Sequence, residues 1–180
     1  MKNYFLTTVL SMLLFATAIF TSGCKKDYID PSRPSQEQVE STVKGLTGAV
    51  IGLQRVYTLG RASSLYNTIT INGLVTNELI VVNTGNTAEV QLAAGGTAVD
   101  PTHTMLATFW SSNNKVIYDA NLVIRNAAAL TDKNYASGLI AYASIFKALS
   151  IGNLSQNWNN VPDTIGTNVN FISNIDGYKK

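Results

Sequence analysis

The stretch TMLATFWSSNNKVIYDANLVIRNAAALTDKNYASGLIAYASIFKALSIGNLSQNWNNVP, residues Thr104 to Pro162, decides the fold. Leu106, Trp110, Asn113, Ile117, Ala120, Ile124 and Ala127 recur at steps of four and three, which places them on one face of a 3.6-residue helix. Such a face needs a partner. Leu130-Thr131-Asp132-Lys133-Asn134 is a short polar turn, and beyond it Leu139, Ala143, Phe146, Ser150, Asn153 and Asn157 repeat the helical period. The spacing predicts an antiparallel helical hairpin, stopped by Trp158-Asn159-Asn160-Val161-Pro162.

A chain of 180 residues, 46% of them hydrophobic, has room for one ordinary domain with a packed core. It carries 13 Lys and Arg against 11 Asp and Glu, with no basic stripe to neutralise a row of phosphates, so nucleic acid is not an expected partner. The lone cysteine, Cys24, can form neither an internal disulfide nor a metal cage. His103, the single histidine, has neither a nearby Cys nor a carboxylate triad, so a surface or capping position is expected in preference to catalysis. Nowhere does a nucleophile stand with a base, a His or Cys cluster at ligand spacing, or a carboxylate pair suited to hydrolysis. The expectation is a protein that is not an enzyme and holds no metal or cofactor.

The N-terminus reads as delivery. Lys2 precedes an apolar run, Phe5 to Phe20, interrupted by Thr7, Thr8, Ser11 and Thr17, too short and broken for a comfortable membrane span. Residues 1–23 are therefore expected to be a signal peptide. Thr21-Ser22-Gly23-Cys24 resembles a lipobox, in which the thiol at the cut site receives diacylglycerol, with Thr21 standing where Leu is usual. A plain secretory leader and an uncleaved anchor helix are the alternatives. Lys25 and Lys26, with no Asp directly after Cys24, lean toward the outer membrane in the usual sorting rule for bacterial lipoproteins. Each methylene of an acyl chain on Cys24 would contribute about 0.8 kcal/mol when buried, so several chains anchor nearly permanently. Residues 24–34, with Pro31 and Pro34 and no periodicity, are expected to be a lipid-anchored tether.

Ser35 followed by Gln38 fits a capping box, and Val39, Val43, Leu46, Val50, Leu53 and Tyr57 continue at helical spacing to a stop at Gly60. Gly45, Gly48 and Gly52 each cost about 1 kcal/mol inside a helix, which predicts close approach of a neighbouring backbone. Between Arg61 and His103 the pattern loosens. Leu65, Ile69, Leu74 and Leu79 suit a helix, whereas Ile69 to Ile71 and Leu79 to Val82 have the β-branched content of short strands. With turns at Asn83-Thr84-Gly85-Asn86 and Gly95-Gly96-Thr97, the reading is a helix followed by irregular loops.

Three blocks then carry a family resemblance. Gly73-Leu74-Val75-Thr76-Asn77-Glu78-Leu79 resembles a Gly-Leu-x-Ser-Asp-Glu-Leu segment of the SusD/RagB surface nutrient-uptake lipoproteins. Phe109-Trp110-Ser111-Ser112 and Tyr118-Asp119-Ala120-Asn121-Leu122-Val123-Ile124 resemble an early helix of that family. Lys147-Ala148-Leu149, Leu154 and Trp158 to Pro162 resemble its alanine-rich helix and terminal aromatic-Gly-Asp-Val-Pro. Asn159 and Asn160 stand for the usual Gly and Asp, and Asn77 for an acid. Asn is expected to take the left-handed turn a helix stop needs.

The resemblance implies a mainly α fold of tetratricopeptide-like helical hairpins, an α-solenoid-like SusD N-terminal domain with irregular loops, over residues 35–162. Residues 163–180 are expected to be a polar tail, with the family's larger C-terminal part absent. It further implies a non-catalytic lipoprotein of the cell outer membrane, facing outward, that binds glycans or other oligomeric nutrients and caps a SusC-like TonB-dependent transporter. Acylated Cys24 would be the palmitate-bearing anchor. Exposed aromatic platforms bind glycans, which points to Trp110, Trp158, Tyr57, Tyr66 and Tyr118, although aromatics at helical spacing are more often core. The resemblance assigns none of them a ligand role. The alternative is a small lipid-anchored helical adaptor, or an inactive N-terminal fragment, with no ligand of its own.

Overall fold

The computed structural model describes residues 35–164 and 169–179. Its helices are α1 (Gln36–Ser41), α2 (Val43–Thr58), α3 (Ser64–Val75), α4 (Thr87–Ala94), α5 (Thr104–Ala127), α6 (Lys133–Asn157) and α7 (Asn174–Tyr178). A 3₁₀ turn at Gly96–Ala98 and an antiparallel strand pair, β1 (Asn160–Thr164) and β2 (Asn170–Ser173), complete the elements among the described residues. The fold is mainly α. The chain divides into the units Met1–Ser35 and Gln36–Lys180. The expected signal peptide, Cys24 and the tether lie outside the described residues.

Helices α5 and α6 form the predicted hairpin. Asp132 caps α6, its carboxylate accepting from the amides of Asn134 at 3.0 Å and Tyr135 at 3.1 Å. The buried face of α5 is wider than the expected stripe: Phe109, Val116 and Val123 are fully buried, while Leu106, Trp110 and Ile124 are half-buried. The cause is that α5 packs against α2, α3 and α6, so partners cover more than one stripe. On α6, Leu139, Ala143, Ser150 and Asn153 are buried as the spacing predicts, Phe146 is half-buried and Asn157 is exposed.

One core joins Leu46, Val50, Leu53 and Tyr57 of α2 to Val116, Ala120, Val123 and Ala127 of α5 and Leu139 and Ala143 of α6. A second gathers Ile71, Leu74, Leu92 and Phe109. Between the three long helices lies a polar contact. Asn153 Nδ2 donates to Asn113 Oδ1 at 3.2 Å and reaches the Tyr57 hydroxyl at 3.4 Å, while Asn113 Nδ2 donates to the Phe109 carbonyl at 2.8 Å. Asn113 is wholly buried, so these bonds answer groups that water cannot reach.

The continuous helix expected from Ser35 to Gly60 is broken at Thr42. The chain turns extended there, and the Thr42 hydroxyl accepts from the Gly45 amide at 3.0 Å as the cap of α2. Gly45 is then needed, because a Cβ at that position would strike the Val39 backbone of α1. Gly48 and Gly52 face open space and approach no backbone, which corrects the expectation for those two. Gly60 has φ 85° directly after the Leu59 cap and ends α2 as predicted.

Helix α3 absorbs Ile69 to Ile71, so the strand alternative is not realised there, and Leu79 to Val82 are irregular. Its end explains the Gly73–Leu79 block. Asn77 has φ 59°, its amide donates to the Leu74 carbonyl at 3.3 Å, and the Leu79 amide donates to the Gly73 carbonyl at 2.9 Å. Together they satisfy carbonyls that the last turn leaves open. The stop after α6 works differently. Trp158 turns extended at φ −131°, and neither Asn159 nor Asn160 takes the expected left-handed conformation.

The segment expected to be a polar tail is folded where it is described. Val161 pairs with Ile172 and Pro162 with Phe171 across the strands. A two-stranded ribbon is marginal alone, but fully buried Val161 packs with Ile117, Ile151 and Leu154. Gly177 of α7 lies so close to Ser155 and Val161 that a Cβ would collide with both.

Two stability predictions follow from this packing. Asn153→Ala removes the shared donor of the buried contact and is expected to cost about 1–3 kcal/mol, read as a lower urea midpoint at unchanged slope. Asn77→Val forces a β-branched residue into the left-handed region and is expected to lose about 1–2 kcal/mol, whereas Asn77→Gly keeps the stability of the parent in the same assay.

Candidate functional site

The five aromatic residues named from the sequence have separate fates. Tyr57 is core. Trp110 and Trp158 pack edge to face at 5.1 Å, Trp158 lies 5.3 Å from Phe109, and Trp110 stacks on Phe171 at 6.5 Å. That pile fastens β2 to α5. Tyr118 is 44% exposed on α5. Tyr66 alone lines a cleft.

The cleft is open, about 580 Å³, and lies between the start of α3, the loop before α4 and the first turns of α5. Its size falls within the range of about 300–1,000 Å³ typical of ligand sites. Tyr66, Arg61, Glu89, Asn83, Asn86 and Thr108 supply its polar wall. Arg61 Nη2 pairs with Glu89 Oε1 at 2.7 Å, and the guanidinium carbon sits 5.5 Å from the Tyr66 ring centroid. The Tyr66 hydroxyl donates to the same Glu89 oxygen at 3.3 Å.

Local sequence places each of these groups. Gly60 turns the chain out of α2, the Ser63 hydroxyl caps α3 by accepting from the Tyr66 amide at 3.2 Å, and buried Asn67 donates to the carbonyls of Arg61 at 3.0 Å and Ser63 at 2.9 Å. The backbone of Arg61 is thereby fixed to the helix that carries Tyr66. Across the cleft, Leu92 anchors α4 in the second core. The His103 ring donates through Nε2 to the Ala88 carbonyl at 3.0 Å, tying α4 to the head of α5. His103 does occupy the N-cap position of α5, but it is buried under α4 and not at the surface.

Asp100 sets the turn into α5. Its Oδ1 accepts from both the hydroxyl and the amide of Thr102 at 2.6 Å, and those bonds, with help from the nearby His103, hold its carboxyl below the usual carboxylate range. A second cavity, about 640 Å³, lies between α1 and the end of α5 and is bordered by Glu37, Glu40, Ser41, Asn126, Ala129 and Leu130. That set offers neither an aromatic ring nor a cation. Among the described residues no cluster of His, Cys, Asp and Glu could hold a metal ion, and no helix is long and apolar enough to cross a membrane.

Sequence reading missed Arg61, Glu89 and Asn86. Asn86-Thr87-Ala88-Glu89 carried a usable signal, since Asn followed three residues later by Glu is a helix-start pattern. It marks the first turn of α4, although the Asn86 side chain makes no capping bond. Comparison with protein-family models, curated proteins and solved structures finds no match to the chain.

An NMR titration of Asp100 is expected to give a midpoint below that of an unfolded Asp, moving upward in Thr102→Ala. Because the folded value is depressed, the stability this carboxylate adds is complete above the unfolded pKa and is lost as pH falls through the folded one.

Proposed function

We propose that the chain is a non-catalytic nutrient-binding lipoprotein of the SusD/RagB type, anchored through acylated Cys24 to the outer face of the outer membrane. It takes glycans or other oligomeric nutrients and passes them to a SusC-like TonB-dependent transporter. The observation that carries this reading is the cleft in which an aromatic ring, an ion pair and carboxamides converge on one open volume. Sugars present an apolar ring face and a rim of hydroxyls, and such a wall answers both. The helical hairpin of α5 and α6, ending at Trp158 to Pro162, supports the same reading.

A second reading, a lipid-anchored helical adaptor, is favoured by the outer side of α6. There Ala141, Ile145, Ala148 and Leu149 are exposed, Ile145 by 56%, and apolar side chains in such a row suit contact with another protein.

Labelled palmitate is expected on the wild-type chain and not on Cys24→Ala. Isolation of the acylated chain from membranes is expected to bring a large outer-membrane barrel with it. Oligosaccharide binding measured by calorimetry separates the two readings. Tyr66→Ala is expected to weaken it by roughly tenfold, the scale of one well-placed aromatic contact. A barrel partner without any oligosaccharide binding would favour the adaptor.

A further inference from the structure

We propose that the outer face of α6 docks on the same face of a second copy of this chain, the two helices running antiparallel about a two-fold axis near Ile145. The face lies on other elements than the cleft, and its partner is independent of what the cleft binds.

A helix face turned to water normally carries charge. That of α6 does not. After Lys133, whose ammonium turns back to the Ala128 carbonyl at 2.9 Å, no charged side chain of the helix is exposed. Lys147, the other charge of α6, is half-buried and lies on the far side of the helix from Ile145. Ala141, Ile145, Ala148 and Leu149 are exposed instead, Ile145 by 56% and Leu149 by 45%. The patch continues onto α2. The hydroxyls of Thr47 and Tyr135 bond at 2.7 Å, and the Tyr142 hydroxyl donates to Gln54 at 2.8 Å. Ile51 stands between Thr47 and Gln54 in the same turn-spaced row of α2, and is 63% exposed. Lys44 and Arg55, both exposed, form the polar rim beyond it.

Two glycines show what kind of surface this face meets. Gly138 and Gly152 lie inside α6, where Gly is the poorest helix former apart from Pro. A Cβ on either would find no atom within 4 Å among the described residues. Packing within the chain gives no reason for them, whereas the close approach of an outside backbone does. The order of side chains identifies that backbone. Gly138, Ala141, Ile145, Ala148 and Gly152 give the same succession of sizes from either end. A surface that pairs with its own copy across a two-fold axis must be self-complementary in this way. In the antiparallel pair, Ala141 and Ala148 of the other copy make room for Ile145, and the glycines let the backbones stay close at both margins. The absence of charge on α6 removes the like-charge repulsion that would otherwise oppose such a pairing.

The face is also large enough. From Asn134 to Gln156 α6 runs about 33 Å, and α2 packed beside it at 8–10 Å makes the face about 20 Å wide. About 600 Å² from each copy comes to roughly 1,200 Å², the lower bound for a stable interface. A weak dimer is the expected outcome.

The test uses the full-length chain carrying Cys24→Ala, so that an introduced thiol is the only one. Sedimentation equilibrium is expected to show a monomer–dimer equilibrium in the micromolar range. Ile145→Asp is expected to weaken it at least about tenfold with helical circular dichroism kept, because each carboxylate would be held against its counterpart. Gly138→Ala separates association from folding. It is expected to raise the unfolding midpoint, since Ala favours the helix and meets open space, and yet to weaken the dimer about tenfold. Asn134→Cys and Gln156→Cys read the orientation. Mixed, they should cross-link through a short thiol reagent. Each alone should not, because antiparallel packing sets like positions roughly 30 Å apart. A chain still monomeric at about a hundred micromolar would overturn the proposal. So would a dimer indifferent to Ile145→Asp, or self-cross-linking of Asn134→Cys without the mixed product. A monomer that takes up a different protein through Ile145 would also overturn it, and would return the face to the adaptor reading. Oligosaccharide binding at the cleft is measured separately and is untouched by any of these results.

Discussion

A buried contact between two carboxamides and a phenol hydroxyl constrains this molecule more than any single hydrophobic contact. Asn113, Asn153 and the Tyr57 hydroxyl meet where α2, α5 and α6 come together. Apolar faces tolerate sliding, since one leucine can replace another across an interface at little loss. A buried carboxamide does not, because a shift that separates it from its partner leaves polar groups dry and unsatisfied. The contact therefore fixes the axial position of the three long helices. Every other element is hung on that frame.

The cleft is one of the things hung on it. Helix α5 presents Phe109 and Leu106 to the second core, where Ile71, Leu74 and Leu92 hold α3 and α4. The polar residues of the cleft sit at the starts of those elements: Arg61 in the turn before α3, Asn86 and Glu89 at the head of α4, Thr108 in the second turn of α5. Their positions depend on capping and on side-chain-to-backbone bonds from Asn67 and His103, which apolar packing alone would not supply. A rigid helical base with functional groups on its connecting turns is a common division of labour, since the base holds geometry and the turns are free to vary.

How much of this can be read from the chain depends on the length of the repeating signal. The α5–α6 hairpin, with its turn at Asp132, was legible because about twenty-five residues of consistent period average out local exceptions. Even there the phase was narrow: Val116 and Val123 were missed because contact with α2 and α3 on a second side widens the buried arc, and periodicity alone does not count neighbours. The break at Thr42 went unseen because Val39 and Val43 keep the helical spacing across it. The pair β1 and β2 was illegible for a different reason. Its hold on the core rests on Val161 and Ile172 and on Phe171 against Trp110, too few residues to form a pattern. In the cleft, Tyr66 was visible as an aromatic and Arg61 and Glu89 were not, because an ion pair across 28 positions of chain is set by tertiary placement.

The chain has two tryptophans, and both lie in the Phe109–Trp158–Trp110–Phe171 pile, outside the wall of the cleft. Emission excited from tryptophan alone, apart from the eight tyrosines, is consequently an optical record of whether the β-ribbon is seated on α5. Quenching or a spectral shift reports the docking of residues beyond Trp158, and a guest molecule resting on Tyr66 leaves that light unchanged unless it also loosens the ribbon.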